Sequence, residues 1–158
     1  MGTGKTTVGR LVAQQIGHHW IDLDEQIERD IGSSIATIFE TKGEAYFREY
    51  EVSHLRQYLT SHSEIVISTG GGFIETPAGR RLLRDKSNVV WLTGTFNQVL
   101  ARLSDEAVKK RPLLNNLNKA EQLYERRKIL YKQCATFEVN IDHKTPFQVA
   151  EMIINRYR

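Results

Sequence analysis

Cysteine is nearly absent from this sequence: Cys134 is the single one in 158 residues, so no intrachain disulfide can form and no CxxC or Cys/His cluster offers a zinc site. A lone cysteine of this kind reads as packing. There is also no run near the roughly 18 apolar residues that a membrane span needs, no charged-then-apolar leader and no lipidation signal. A soluble protein of a reducing cytoplasm is the expectation. The five histidines, His18, His19, His54, His62 and His143, have no metal-ligand spacing and read as surface or capping residues. Neither sign of charge dominates. The 22 Lys and Arg against 19 Asp and Glu leave a net +3, and the basic residues are scattered rather than interleaved with aromatics. That balance suits small anionic ligands and argues against nucleic acid. Internal repeats, linkers and low-complexity segments are lacking, and 158 residues fit one domain with one core.

Helical and extended patterns alternate from end to end, the signature of an α/β fold in which a parallel β-sheet is flanked by helices. Val8, Leu11, Val12 and Ile16 mark a first helix, residues 19–23 a short strand, and Ile27 and Ile31 a helix ended by Gly32. Residues 34–40 predict a short helical piece, and Gly43 begins a long helix burying Val52, Leu55 and Leu59. The β-branched run from Ile65 to Ser68 and the run from Val89 to Leu92 predict buried strands. Only three prolines occur, and two of them, Pro77 and Pro146, follow a threonine and predict helix starts. Thr95 caps a further helix, residues 119–135 form a long amphipathic one, and 137–141 a strand before the last helix. Residues 104–118, polar and basic around Arg111-Pro112, are the least regular and predict a mobile lid.

The chain opens on Gly2-Thr3-Gly4-Lys5-Thr6-Thr7, followed at once by helical pattern. This is the back half of a phosphate-binding loop. Backbone N–H groups around these glycines can curl about an oligophosphate, and the helix behind adds its positive dipole end. In that reading Lys5 reaches the β- and γ-phosphates and the Thr6 hydroxyl ligates Mg²⁺. The first glycine of G-x-x-x-x-G-K-[ST] would fall one residue before Met1, with the apolar feeding strand ahead of it. A central first strand is therefore expected to be absent from this chain, leaving a gap of roughly 10 Å between the strands that end near Asp24 and near Thr69. On that expectation the functional protein carries a further strand-forming N-terminal segment of about ten residues.

Asp22 and Asp24 stand two apart at a strand end, so strand alternation would put both carboxylates on one face. Beside a phosphate loop, Asp22 could hold Mg²⁺ through water and Asp24 could take a proton from a substrate hydroxyl. Capping of the next helix is the plainer alternative for either. Thr69-Gly70-Gly71-Gly72 after a strand marks backbone approached closely by a ligand, at the strand end where α/β sheets bind. Arg48 and Arg127 each have an ordinary reading as surface ion pairs, Arg48 with Glu44 and Arg127 with Glu121 or Glu125. Lys109-Lys110-Arg111 could equally be a solvated loop edge.

Taken in order, these segments resemble the shikimate kinase family of P-loop small-molecule kinases, nearly end to end. The resemblance is carried by Gly2 to Thr7, Asp22-Leu23-Asp24 with Ile27-Glu28, Ile35 to Phe39, and Gly43-Glu44 with Phe47-Arg48 and Glu51. It continues in Thr69 to Gly72, Arg111-Pro112-Leu113-Leu114, and Arg127 with Leu130-Tyr131. It implies transfer of the ATP γ-phosphoryl group, with Mg²⁺, to the 3-hydroxyl of shikimate on the way to chorismate, and a monomer with no nucleic acid or membrane partner is the expectation. By position it implies that Gly2, Thr3, Gly4, Lys5, Thr6 and Thr7 hold the phosphates, and that Thr6 and Asp22 serve the metal. Asp24, Arg48, Arg127 and the backbone of Gly70, Gly71 and Gly72 would hold shikimate, with Asp24 as base. Arg111 would be the lid arginine at the transferred group, and Arg102, Lys144 and Pro146 would lie near adenine. A gluconate or nucleoside monophosphate kinase, or a catalytically silent ligand-binding domain, are the alternatives.

Overall fold

The computed structural model describes residues 2–61, 64–85, 88–103 and 112–157. Arg111 and the 104–111 portion of the expected lid lie outside the described residues. Helix α1 (Lys5–Ile16) leads into strand β1 (His19–Asp22), helix α2 (Leu23–Ile31) and helix α3 (Ile35–Ser61). Strand β2 (Ile65–Ser68), helix α4 (Pro77–Arg84), strand β3 (Val90–Thr93) and helix α5 (Phe96–Ala101) follow. Helix α6 (Leu117–Cys134), strand β4 (Phe137–Asn140) and helix α7 (Pro146–Tyr157) complete the chain. Short 3₁₀ turns cover Phe73–Glu75 and Pro112–Asn115. The second turn falls in the stretch expected to be a lid, and Leu114 is buried in the core.

Local chemistry sets the boundaries. Thr76 caps α4 by accepting from the Gly79 N–H, with Pro77 at the first helical position, and Thr95 caps α5 in the same way through Gln98. The two helical pieces expected around residues 34–61 meet at Gly43, whose φ of 84° and ψ of 161° break the helix into two arms. Only glycine takes that conformation without strain.

All strand pairing among the described residues is parallel. His19 to Asp22 of β1 pairs residue for residue with Ile65 to Ser68 of β2, and Val90 to Thr93 of β3 with Phe137 to Asn140 of β4. The expected gap between the strands ending near Asp24 and Thr69 is therefore not there, because these two are direct ladder partners. Helix α1 explains the difference. It packs on both β1 and β2, and a Cβ on Gly9 would stand only 2.6 Å from Ser68 Oγ, so the helix lies close across this pair and delivers the chain to its far edge. The gap lies instead between β2 and β3, where the described strands form two separate two-stranded sheets. A cavity of about 400 Å³ fills it, lined on one side by Ile65 and Ile67 and on the other by Val89 to Leu92.

This slot divides the core. One cluster joins Val8, Val12, Leu92, Val99, Val139 and Ile153 on the β3–β4 side, and a second joins Leu23, Ile27, Ile38, Phe47 and Leu55 on the β1–β2 side. Ile65, Val66 and Ile67, expected to be buried, are only half-buried, and Ile65 and Ile67 line the slot.

Candidate active site

Gly4 is the N-cap of α1 and supplies no side chain, so the first N–H groups of that helix point at whatever sits above the loop. Ser68 pins this end to the sheet. Its hydroxyl donates to the Lys5 carbonyl (3.1 Å) and accepts from Trp20 Nε1 (3.1 Å). The helix start is thereby held beside the end of β1, where Thr6 Oγ1 donates to Asp22 Oδ2 at 2.7 Å. Asp22 does two jobs. Its other oxygen caps α2 through the Asp24 and Glu25 N–H groups, which is the plainer alternative for this residue realised alongside the pairing with Thr6. Thr6 and Asp22 together present adjacent hard oxygens of the kind Mg²⁺ accepts.

Asp24 does not lie on the strand. It sits in the first turn of α2, and the helical turn rather than strand alternation brings it toward the same cleft as Asp22. Its Oδ1 is buried without a hydrogen-bond partner among the described residues. Burial, followed by the nearby Asp22 charge, pushes its carboxyl up from 3.8 to about 6, against the pull of Lys5 and Arg48. This carboxylate thus stands between the phosphate loop and the α3 arginine.

The three glycines after β2 each meet a different site side chain. A Cβ on Gly70 would collide with Asp24 Oδ1 at 2.6 Å, and one on Gly72 would overlap the Arg48 guanidinium. The Gly71 carbonyl accepts from Tyr131 Oη at 2.6 Å. Burial pushes that phenol up to about 12, so it remains a donor. Arg48 bonds Glu44 at 2.9 Å, which is the ordinary i, i+4 pair, but it also bonds Glu51, which is fully buried on the α3 face that carries Val52 and Leu55. Burial raises the Glu51 carboxyl and the guanidinium counteracts it. Arg127 pairs with neither Glu121 nor Glu125. Its Nε donates to Glu75 at 2.7 Å, while Glu125 pairs with Lys128. Arg48 and Arg127 line one groove between α3 and the α4–α6 face.

At the other end of the phosphate loop, Arg102 donates to the Ile141 and Lys144 carbonyls and so clasps the turn that enters α7 at Pro146. The structure therefore brings Arg102, Lys144 and Pro146 together. Among the described residues there is no group of three His, Cys, Asp or Glu side chains set to hold a metal ion.

Two acids at this site carried no assigned role in the sequence. Glu51 had a usable signal, since an acid three residues after an arginine on an apolar helix face must be paired to be buried. Glu75 had none, because its partners Arg126 and Arg127 are distant in sequence.

The shikimate kinase family model matches residues 1–158. A shikimate kinase of Dictyoglomus turgidum is 39% identical over 160 residues, covering 100% of this chain and 93% of that protein. One of Sulfurihydrogenibium is 38% identical over 159 residues, covering 100% and 93%. Among solved structures, shikimate kinase from Acinetobacter baumannii in complex with shikimate superposes with a TM-score of 0.86 at 34% identity, covering 99% of this chain and 88% of that one. The enzyme from Aquifex aeolicus gives 0.84 at 34% identity, covering 99% and 91%. This chain belongs to the shikimate kinase family.

Proposed function

We propose that this chain transfers the γ-phosphoryl group of ATP to the 3-hydroxyl of shikimate, with the cleft bounded by Asp24, Arg48, Gly70 to Gly72 and Arg127 as the acceptor site. The observation that carries the reading is Asp24, a carboxylate with one buried oxygen lacking a described partner, set between Lys5 and Arg48 and against the Gly70 backbone. A phosphate loop and an acceptor cleft meet at that one group.

Gly2 to Thr7 and the α1 N-terminus bind the triphosphate, Lys5 carries its charge, and Arg102, Lys144 and Pro146 border the base. Thr6 and Asp22 would hold Mg²⁺, which would supply positive charge beside the phosphates. Shikimate offers one carboxylate and several hydroxyls. Arg48 and Arg127 offer guanidinium N–H donors and positive charge to the carboxylate, and Asp24 orients the reacting hydroxyl and takes its proton. Arg111 completes the positive surround when the lid excludes water.

Arg48→Ala should weaken shikimate binding at least tenfold while changing ATP binding little, since a hydrogen bond to a charged group contributes about 1.5–3 kcal/mol. Calorimetry with each ligand checks this. Equal losses for both would remove Arg48 from the acceptor site.

A further inference from the structure

The carboxylate of Glu75 sits where it can decide how Arg127 meets an incoming acid. It belongs to the 3₁₀ turn Phe73–Glu75, directly after the glycines, and so ties the acceptor loop to helix α6. Its Oε1 accepts from Arg127 Nε at 2.7 Å and from Arg126 Nη2 at 2.8 Å, and its Oε2 accepts from Arg126 at 2.9 Å. The two arginines differ sharply in exposure. The Arg127 side chain is 12% exposed and that of Arg126 is 63%, so the first is walled in and the second stands in water. Burial alone would raise the Glu75 carboxyl, but the bonds from Arg127 and Arg126 hold it below the ordinary range. It is therefore an anion at neutral pH.

We propose that Glu75 is a positioning residue for the acceptor carboxylate: it engages Arg127 through Nε, fixes the guanidinium plane, and presents the Nη1–Nη2 edge to the substrate. An arginine can offer a carboxylate either its Nε side or its Nη1–Nη2 end. Glu75 occupies the first, and no described residue bonds the second. Arg126 serves as the outer brace, offsetting the charge that Glu75 brings beside Arg127. The proposal rests on the reading of this cleft as the shikimate site.

Two effects oppose each other when Glu75 is removed. Losing the anion makes the surroundings more positive, which favours a carboxylate, but Arg126 is solvated and its charge is screened. Losing the brace lets the long Arg127 side chain sample other rotamers, which acts directly on the clamp. The second effect dominates.

The test compares wild type, Glu75→Ala, Glu75→Gln and Arg126→Ala, with KM and kcat for shikimate and ATP and a melting temperature for each. Glu75→Ala should raise the shikimate KM about tenfold with kcat and the ATP KM little changed. Glu75→Gln keeps an acceptor for Nε and should recover most of that loss, and Arg126→Ala should show a smaller rise. Shikimate methyl ester separates positioning from general damage. Lacking the carboxylate charge, it should bind wild type and Glu75→Ala alike in calorimetry. Unchanged or tighter shikimate binding in Glu75→Ala would overturn the proposal, as would an equal loss for acid and ester. A folded wild type that does not bind shikimate would overturn the reading of the cleft itself, and the role of Glu75 with it.

Discussion

Asp24→Asn should lower shikimate turnover by about 10²–10⁴-fold, the usual contribution of a positioned general base, while making the unliganded protein more stable. Both effects have one cause. In the folded protein burial lifts the Asp24 carboxyl from 3.8 to about 6, so the folded state holds its proton more tightly than the unfolded chain. The stability gained from that proton is fully present below 3.8 and is lost as pH rises through about 6. Above that, the ionised carboxylate costs on the order of 3 kcal/mol, at about 1.4 kcal/mol per pH unit. Asparagine removes the charge. Its melting temperature at pH 7–8 should exceed wild type by roughly 5–10 °C, with the difference vanishing below about pH 4. In wild type, kcat/KM for shikimate should fall at acid pH as Asp24 is protonated, and that limb should be missing in the variant. Near-normal turnover in Asp24→Asn would mean that the loose transition state of phosphoryl transfer needs no base here.

An apolar extended segment supplied to the slot between β2 and β3 should have the largest effect on stability. The facing edges belong to parallel pairs, and the cavity between them is lined by Ile65, Ile67, Val90 and Leu92, with Thr3 and Lys5 of the phosphate loop also lining it. A four- to five-residue strand there would make ladder bonds on both sides at about 0.5–1.5 kcal/mol each and bury apolar side chains at about 1.5–3 kcal/mol each. Ordering it costs about 1–2 kcal/mol per residue, which leaves several kcal/mol in favour. A β-branched segment ending in glycine, fused ahead of Met1, should raise the melting temperature by more than about 10 °C and tighten ATP binding, because it also anchors the loop. Cys134 lines the same cavity and is the one thiol, so its reaction with a thiol reagent should slow in the fused protein. A fusion interrupted by prolines should give neither effect. Equal stability and equal ATP binding in all forms would show that the slot does not accept a strand.

How far the sequence foretold this site depends on the kind of contact. Elements with strong local signals were legible: the Thr76-Pro77 and Thr95 caps, the Gly43 break, and the Gly4-Lys5-Thr6 helix start all stand where their side chains dictate. Strand order was not, because ladder partners are chosen by how α1 packs on β1 and β2, which no local pattern encodes. Asp24 was found for an incomplete reason, since the first turn of α2 rather than strand alternation brings it to the cleft. For Arg48 the ordinary pair with Glu44 is real and coexists with the bond to Glu51, so local spacing identified one partner and could not weigh the other. The Arg127–Glu75 pair joins residues 52 positions apart, beyond the reach of any helical spacing rule.

The most direct test of the whole account is a phosphate-acceptor assay with ATP and Mg²⁺, offering shikimate, gluconate and a nucleoside monophosphate in turn, on this chain and on its strand-fused form. The account predicts ADP formation with shikimate alone, yielding the 3-phosphate, and faster in the fused form. A folded protein that binds ATP but leaves shikimate unphosphorylated in both forms, or prefers another acceptor, would contradict it.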